Sequence, residues 1–252
     1  MKDFLYWQFV ILVTFANFFT IYLSKITKKV PVYLKTWSGA YFKVFNLNSN
    51  LATIIEVWFD QVYKFPVDLL EKANPVVIDI GANIGAFSVF SWLKLKEPTI
   101  FAYEPEKNNF QLLAENVKLN NLTEVKIFKQ AVYGQKGKRD LFLAGDSSGK
   151  NSIELKQSYG VSQEIDCITL ENILKDNKIV KCDYLKIDCE GSEYELLLNT
   201  PKEVFYSITR IVLEYHQVDR FTPDDLINLF LSVGYLIEVF DHQKGMIVVY
   251  RP

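Results

Sequence analysis

The run Val77-Ile78-Asp79-Ile80-Gly81-Ala82-Asn83-Ile84-Gly85 limits the possible folds more than any other stretch of the chain. Apolar residues lead into an acid, and two glycines follow four apart. Phe87, Val89, Phe90, Trp92 and Leu93 then continue at helix-like spacing. The pattern predicts a buried strand, a tight turn and a helix start, placed where a doubly wound sheet binds a nucleotide-like cofactor. Glycine lets the backbone there approach a ligand closely. The spacing D-x-G-x-x-x-G does not match the dinucleotide fingerprint G-x-G-x-x-G.

After Pro75 the chain alternates. Strands are expected at 76–80, 99–103, 124–130, 183–187, 209–215, 235–240 and 246–250, and helices at 84–95, 107–120, 169–175, 191–198 and 223–233. Strands separated by helices argue for parallel pairing with right-handed crossovers. The last two strands flank His242-Gln243-Lys244-Gly245 and should close the sheet as an antiparallel hairpin. Upstream, 31–36 and 41–46 read as a hairpin turned at Ser38-Gly39, and 51–63 as a helix. The segment 132–168 holds Gly134, Gly137, Gly145, Gly149 and Gly160, and reads as short strands and loops over the sheet edge. Three parts result: an apolar helix over 1–30, a hairpin and helix cap over 31–70, and the main domain over 71–252.

With 252 residues, 49% hydrophobic and 23% charged, the chain is globular. A net charge of −2 argues against a broadly basic nucleic-acid face. Cys167, Cys182 and Cys189 form no CxxC pair, and only His216 and His242 accompany them, so neither a disulfide framework nor a zinc cluster is expected. From Phe4 to Ser24 there is no charge and many aromatics. A spanning helix needs about 20 apolar residues, so a membrane anchor is the expectation. Lys25, Lys28 and Lys29 follow it and would leave the main domain in the cytoplasm. Two other readings stay open: a helix lying on a membrane surface, because Thr14, Asn17, Thr20 and Ser24 roughly share a face, and an apolar helix packed on its own domain.

Four clusters carry candidate chemistry. Asp79, Gly81, Ala82, Asn83 and Gly85 form the first. Such a turn, with its helix N-terminus, suits the carboxylate end of S-adenosylmethionine, or it is a plain capped turn. Ala102-Tyr103-Glu104-Pro105 ends the second strand, and an acid there can accept both ribose hydroxyls or be a solvated loop acid. Nicotinamide enzymes use the same device. In Leu185-Lys186-Ile187-Asp188-Cys189-Glu190-Gly191-Ser192-Glu193, the acids Asp188 and Glu190 point into the crevice, and Ser192 with Glu195 fits a capping box. Leu213-Glu214-Tyr215-His216 ends the fifth strand, and His216 is either a structural imidazole or a proton acceptor.

These clusters resemble the FkbM family of S-adenosylmethionine-dependent methyltransferases. The resemblance covers about residues 40–250 and rests on Val77–Gly85, Ala102–Pro105, Gln130-Ala131-Val132 and the Lys-Ile-Asp-x-Glu-Gly string at 186–191. It implies a class I, Rossmann-like, seven-stranded α/β sheet and O-methylation of a hydroxyl on a sugar, glycoconjugate or similar alcohol. It carries Asp79, Gly81, Ala82, Asn83, Gly85, Glu104 and Asp188 to cofactor contact, and Asp188 and Glu190 to the active-site rim. In that reading His216, Asp188 or Glu190 takes the hydroxyl proton, no metal is demanded, and an anchored enzyme would act on a lipid-linked glycan. The alternatives are a nicotinamide-dependent oxidoreductase and a membrane-tethered domain without catalysis.

Overall fold

The apolar N-terminus is two helices. The computed structural model describes residues 2–30, 33–143, 151–153 and 161–252, so Gly145, Gly149 and Gly160 lie outside it. Helices α1 (Lys2–Thr14) and α2 (Phe18–Thr27) replace the single expected span. No helix among the described residues is long and apolar enough to cross a membrane, which corrects the spanning anchor. The cause is polar and local. Strand β1 (Leu34–Lys35) captures the chain between the helices. Ala16 N donates to Lys35 O at 2.7 Å, and the Asn17 side chain accepts from Lys35 N at 2.8 Å and donates to Tyr33 O at 3.0 Å. A hydropathy window passes over one asparagine, but its two backbone hydrogen bonds fix the turn.

β1 pairs antiparallel with β2 (Tyr41–Phe42), the core of the expected hairpin. α3 (Leu47–Ile55) begins earlier than its apolar spacing suggests, because Asn46 caps it through Asn48 N and Ser49 N. It runs into a π-helical turn, Glu56–Asp60, and α4 (Val67–Glu71) follows. Val10, Ile11, Phe15 and Ile21 join Leu51, Ile54 and Val57 in one apolar cluster that continues to Val77, Phe87 and Tyr184 of the main domain.

The main domain runs β3 (Val76–Ile80), α5 (Ala86–Lys94), β4 (Thr99–Tyr103), α6 (Lys107–Leu119), β5 (Val125–Phe128), β6 (Ala131–Val132), β7 (Gly137–Phe142) and β8 (Ser162–Ile168). It continues with α7 (Leu170–Asp176), β9 (Tyr184–Ile187), α8 (Glu193–Leu198), α9 (Lys202–Phe205), β10 (Arg210–Glu214), α10 (Pro223–Ser232), β11 (Leu236–Asp241) and β12 (Met246–Tyr250). Seven strands form the central sheet in the order β11-β12-β10-β9-β3-β4-β5. The β3, β4, β5, β9 and β10 pairings are parallel, and β12 runs antiparallel between β10 and β11. Alternate residues feed two cores: Val77, Ile100 and Val212 face the N-terminal layer, whereas Ile78, Phe101, Leu185 and Leu213 face the other side. The strand order reverses between β3 and β9, and a crevice opens there beyond the strands' carboxyl ends. The segment at 132–168 contributes β7 and β8, which with β6 form a separate three-stranded sheet.

Candidate active site

The glycine elbow lies against the end of β9. A β-carbon at Gly81, whose φ is +74°, would come within 1.7 Å of the Asp188 carbonyl oxygen. Gly81 N and Ala82 N both donate to Tyr103 O, which ties the elbow to β4. Gly85 caps α5 with φ +85°, and a β-carbon there would meet Leu113 at 2.7 Å, so its hydrogen-only side chain lets α5 pack on α6. Gly85 therefore shapes the elbow from behind and is not part of the cavity walls.

Two cavities meet at this elbow. The first, about 590 Å³ of space partly open to solvent, is lined by Gly81, Asn83, Glu104, Gln130, Asp188 and Glu190 among others. The second, about 550 Å³, is lined by Glu56, Tyr63, Ala82, Lys186 and Glu214, and shares Gly81, Asn83, Asp188 and Glu190 with the first. Those four shared residues form the partition between the cavities. Asn83 (φ +51°) and Glu190 (φ +53°) are both held in the left-handed region, a strain that concentrates at functional sites.

The first cavity fits a nucleoside with an amino-acid tail. Glu104 is buried and accepts from Asn83 N at 2.8 Å and Glu106 N at 2.9 Å. Burial pushes its carboxyl up to about 7 despite those bonds, so hydroxyl donors from a ribose would satisfy its remaining lone pairs. Asn83 Oδ1 and Ser192 Oγ are buried on the same wall without a hydrogen-bond partner among the described residues.

Asp79 takes another place. It is fully buried, accepts from Ser88 Oγ at 2.7 Å, and faces Lys186 Nζ at 3.3 Å. Lys186 also donates to Gly81 O at 2.7 Å and lies 3.6 Å from Asp188. Burial opposes its charge, but Asp79 and Asp188 outweigh burial and hold the ammonium above its usual range. Asp79 thus supports the elbow through Lys186, one layer behind the cavity wall.

The second cavity is acidic. The Tyr63 hydroxyl donates to Asp188 at 3.1 Å and lies 3.2 Å from Glu214. One hydroxyl proton cannot serve two ionised carboxylates, so the second contact needs a protonated acid. Burial, reinforced by neighbouring carboxylates, raises Glu214 and Glu56 to about 7 each, and burial raises Glu190 to about 8.

His216 stands behind Glu190. Its Nε2 is 3.3 Å from Glu190, and its Nδ1 is 3.1 Å from the fully buried Glu193. Burial disfavours the imidazolium, but the Glu193 hydrogen bond and the Glu193, Glu190 and Asp188 charges prevail and raise it to about 10. His216 is therefore already protonated at neutral pH, and it lines neither cavity. Asp188, Glu193 and His216 also bring three possible metal-ligand atoms within 4.8 Å of one another. The expected capping box is absent: Ser192 makes no cap bond, Glu195 pairs with Arg220 at 2.8 Å, and Glu193 accepts from Cys189 N and Gly191 N. Sequence reasoning passed over Glu56, Tyr63, Glu193 and Glu214. Glu193 and Glu214 stood in the strings already singled out, whereas Glu56 and Tyr63 carry no local signal and reach the site only through the fold.

The order of the sheet and a ligand cavity at its reversal place this chain among the class I methyltransferases. The Methyltransferase FkbM domain matches residues 79–237, well over half of the chain, and the chain belongs to that family of S-adenosylmethionine-dependent enzymes. It is 26% identical to "Methyltransferase sdnD" of Sordaria araneosa, over 60% of this chain and 70% of that protein. It is 25% identical to "31-O-demethyl-FK506 methyltransferase FkbM" of Streptomyces tacrolimicus, over 65% of this chain and 74% of that one. The fold matches the crystal structure of Methyltransferase FkbM from Methylobacillus flagellatus KT with a TM-score of 0.52 at 16% identity, covering 81% of this chain and 53% of that chain. The nicotinamide oxidoreductase and non-catalytic alternatives give way to this membership.

Proposed function

We propose that this methyltransferase transfers a methyl group to a hydroxyl of a sugar, glycoconjugate or similar alcohol, a lipid-linked glycan included. The observation that carries the reading is the partition: Gly81, Asn83, Asp188 and Glu190 line both cavities, so a ligand in one meets a ligand in the other across them. The Streptomyces relative's name specifies an O-methyl acceptor, which supports oxygen as the nucleophile here.

S-adenosylmethionine, when bound, supplies an electrophilic methyl on a good thioether leaving group. In this reading Gly81 and Asn83, which line the first cavity, receive its amino-acid end, and Glu104 holds the ribose, while Ala82 lies on the second-cavity side of the elbow. The acidic second cavity offers the hydrogen-bond acceptors that a polyhydroxylated acceptor needs. Its walls would hold the acceptor hydroxyl toward the partition shared with the first cavity, where the cofactor would supply its methyl. Glu190 takes the hydroxyl proton. Its carboxyl is raised to about 8, close to operating pH, where a general base works best. Asp188, tied to Tyr63, orients the acceptor. His216, held as imidazolium by Glu193, favours the carboxylate form of Glu190, so that Glu190 takes the role of base expected of His216.

The test is Glu190→Gln assayed with a panel of sugar and alcohol acceptors. Expected is a kcat lowered about 10²–10⁴-fold, with binding of S-adenosylhomocysteine retained. Full turnover in that variant removes Glu190 from the role, and a wild-type enzyme that methylates only nitrogen or carbon acceptors overturns the hydroxyl reading.

A further inference from the structure

Both N-terminal helices are apolar on the side that faces away from the protein. On α1, Val10, Ile11 and Thr14 turn inward, as does Phe15 just past its end, while Leu5, Phe9 and Leu12 form an exposed stripe at i, i+4, i+7 spacing. On α2, Ile21 and Ser24 turn inward, while Phe19, Leu23 and Ile26 repeat that spacing outward, with Phe19 77% and Ile26 79% exposed. The helices are held together by Tyr22, whose hydroxyl donates to Gln8 O at 3.0 Å. Trp37, 61% exposed, extends the face beside α1 and donates to Leu12 O at 2.9 Å. Single exposed apolar residues are ordinary, but seven on two adjoining helices and a flanking turn are not.

Charge identifies what covers this face. Between Asp3 and Glu56 there are five lysines and no acidic residue, in a chain whose net charge is −2. Three of them, Lys25, Lys28 and Lys29, are exposed at the end of the α2 stripe. With Ser24, Asn46 and Asn48 they line an open cleft of about 770 Å³. An apolar patch bordered by a cationic, hydrogen-bonding cleft matches a bilayer surface, acyl region and anionic headgroup together.

We propose that α1, α2 and Trp37 dock the protein onto an anionic phospholipid surface, with a headgroup phosphate in the Lys25–Lys28–Lys29 cleft. The helices lie in the interface without crossing it, consistent with their lengths of 13 and 10 residues. α1 packs on the π-helical turn, where inward Val10 and Ile11 share a buried cluster with Val57, and that turn supplies Glu56 to the acceptor cavity. Docking would therefore bring that cavity's wall close to the lipid.

The experiment is co-sedimentation of the full chain with vesicles of phosphatidylcholine alone and of phosphatidylcholine mixed with phosphatidylglycerol. Wild type should pellet with the mixed vesicles and be released by added salt. Lys25→Glu/Lys28→Glu/Lys29→Glu should bind them at least about 10-fold more weakly. Phe19→Ser/Leu23→Ser/Ile26→Ser should lose binding likewise, and both variants should keep the thermal shift given by S-adenosylhomocysteine. The lysine variant alone decides if the apolar one does not fold. Wild type left in the supernatant with both vesicles overturns the proposal, as does binding that the lysine reversals leave unchanged. A dimer in solution that hides the stripes from lipid overturns it too.

Discussion

Gly81 and Asp188 touch through their backbones, and a β-carbon at position 81 would sit 1.7 Å from the Asp188 carbonyl oxygen. That contact welds the elbow after β3 to the end of β9, the two strands between which the sheet order reverses. Both partners are backbone, so no side chain can swing aside to relieve a substitution. Gly81→Ala should cost about 1–3 kcal/mol from the clash alone, with a further penalty from the positive φ. Chemical denaturation measures the loss, and calorimetry should find S-adenosylhomocysteine binding abolished. A variant that binds it with wild-type affinity would show that the elbow does not contact the cofactor.

Glu104 sits at the end of β4 with both oxygens already engaged, one by Asn83 N and one by Glu106 N. Glutamine at this position must turn an NH₂ group toward one of those backbone donors. The substitution removes a charge-assisted acceptor worth about 1.5–3 kcal/mol, so Glu104→Gln should weaken S-adenosylhomocysteine binding about 10–100-fold. Isothermal titration gives the number. An unchanged dissociation constant would exclude Glu104 from the ribose site.

Much of this was legible along the chain, because strand tips write their chemistry locally. The apolar run ending at Ile80, the acid after Tyr103 and the two acids after Ile187 each lie within a few residues of the element that places them. The strands at 76–80, 99–103 and 246–250 have the bounds that apolar content predicts. The N-terminus failed because its break depends on Asn17 reaching a strand 18 residues away in sequence. Tyr63 was hidden for the same reason: its partners Asp188 and Glu214 are 125 and 151 positions distant. The capping box failed through competition, because Glu193 satisfies the Cys189 and Gly191 amides itself and leaves the Ser192 hydroxyl without a partner among the described residues.

Lys186 and Asp79 form a buried pair at 3.3 Å behind the elbow, with Lys186 at the edge of the second cavity and Asp79 lining neither. Removing one partner leaves the other charge uncompensated inside the protein. Lys186→Met should therefore destabilise by about 3–5 kcal/mol. The double variant Lys186→Met/Asp79→Asn should recover a large part of that loss, since neither charge is then buried alone. Urea unfolding of the single and double variants gives the coupling. Strict additivity would mean that the two side chains do not depend on each other.

One buried acid, Glu104, and three half-buried ones, Glu56, Glu190 and Glu214, set the pH response of the ligand-free protein. Glu56, Glu104 and Glu214 are raised to about 7 and Glu190 to about 8, mainly by burial. Their folded values exceed the unfolded value of about 4.3, so the native state binds more protons between those limits. Their contribution to stability is thus complete below about pH 4.3 and is lost as pH rises through 7 to 8. His216 acts in the same direction: held up to about 10, it contributes fully below about 6.5 and loses that contribution through its folded value. The melting temperature should fall between about pH 5.5 and 8, and Glu56→Gln, which removes one titrating acid, should flatten the slope. Differential scanning calorimetry across that range decides, and a melting temperature that climbs toward pH 8 would contradict the protonated acids of the second cavity.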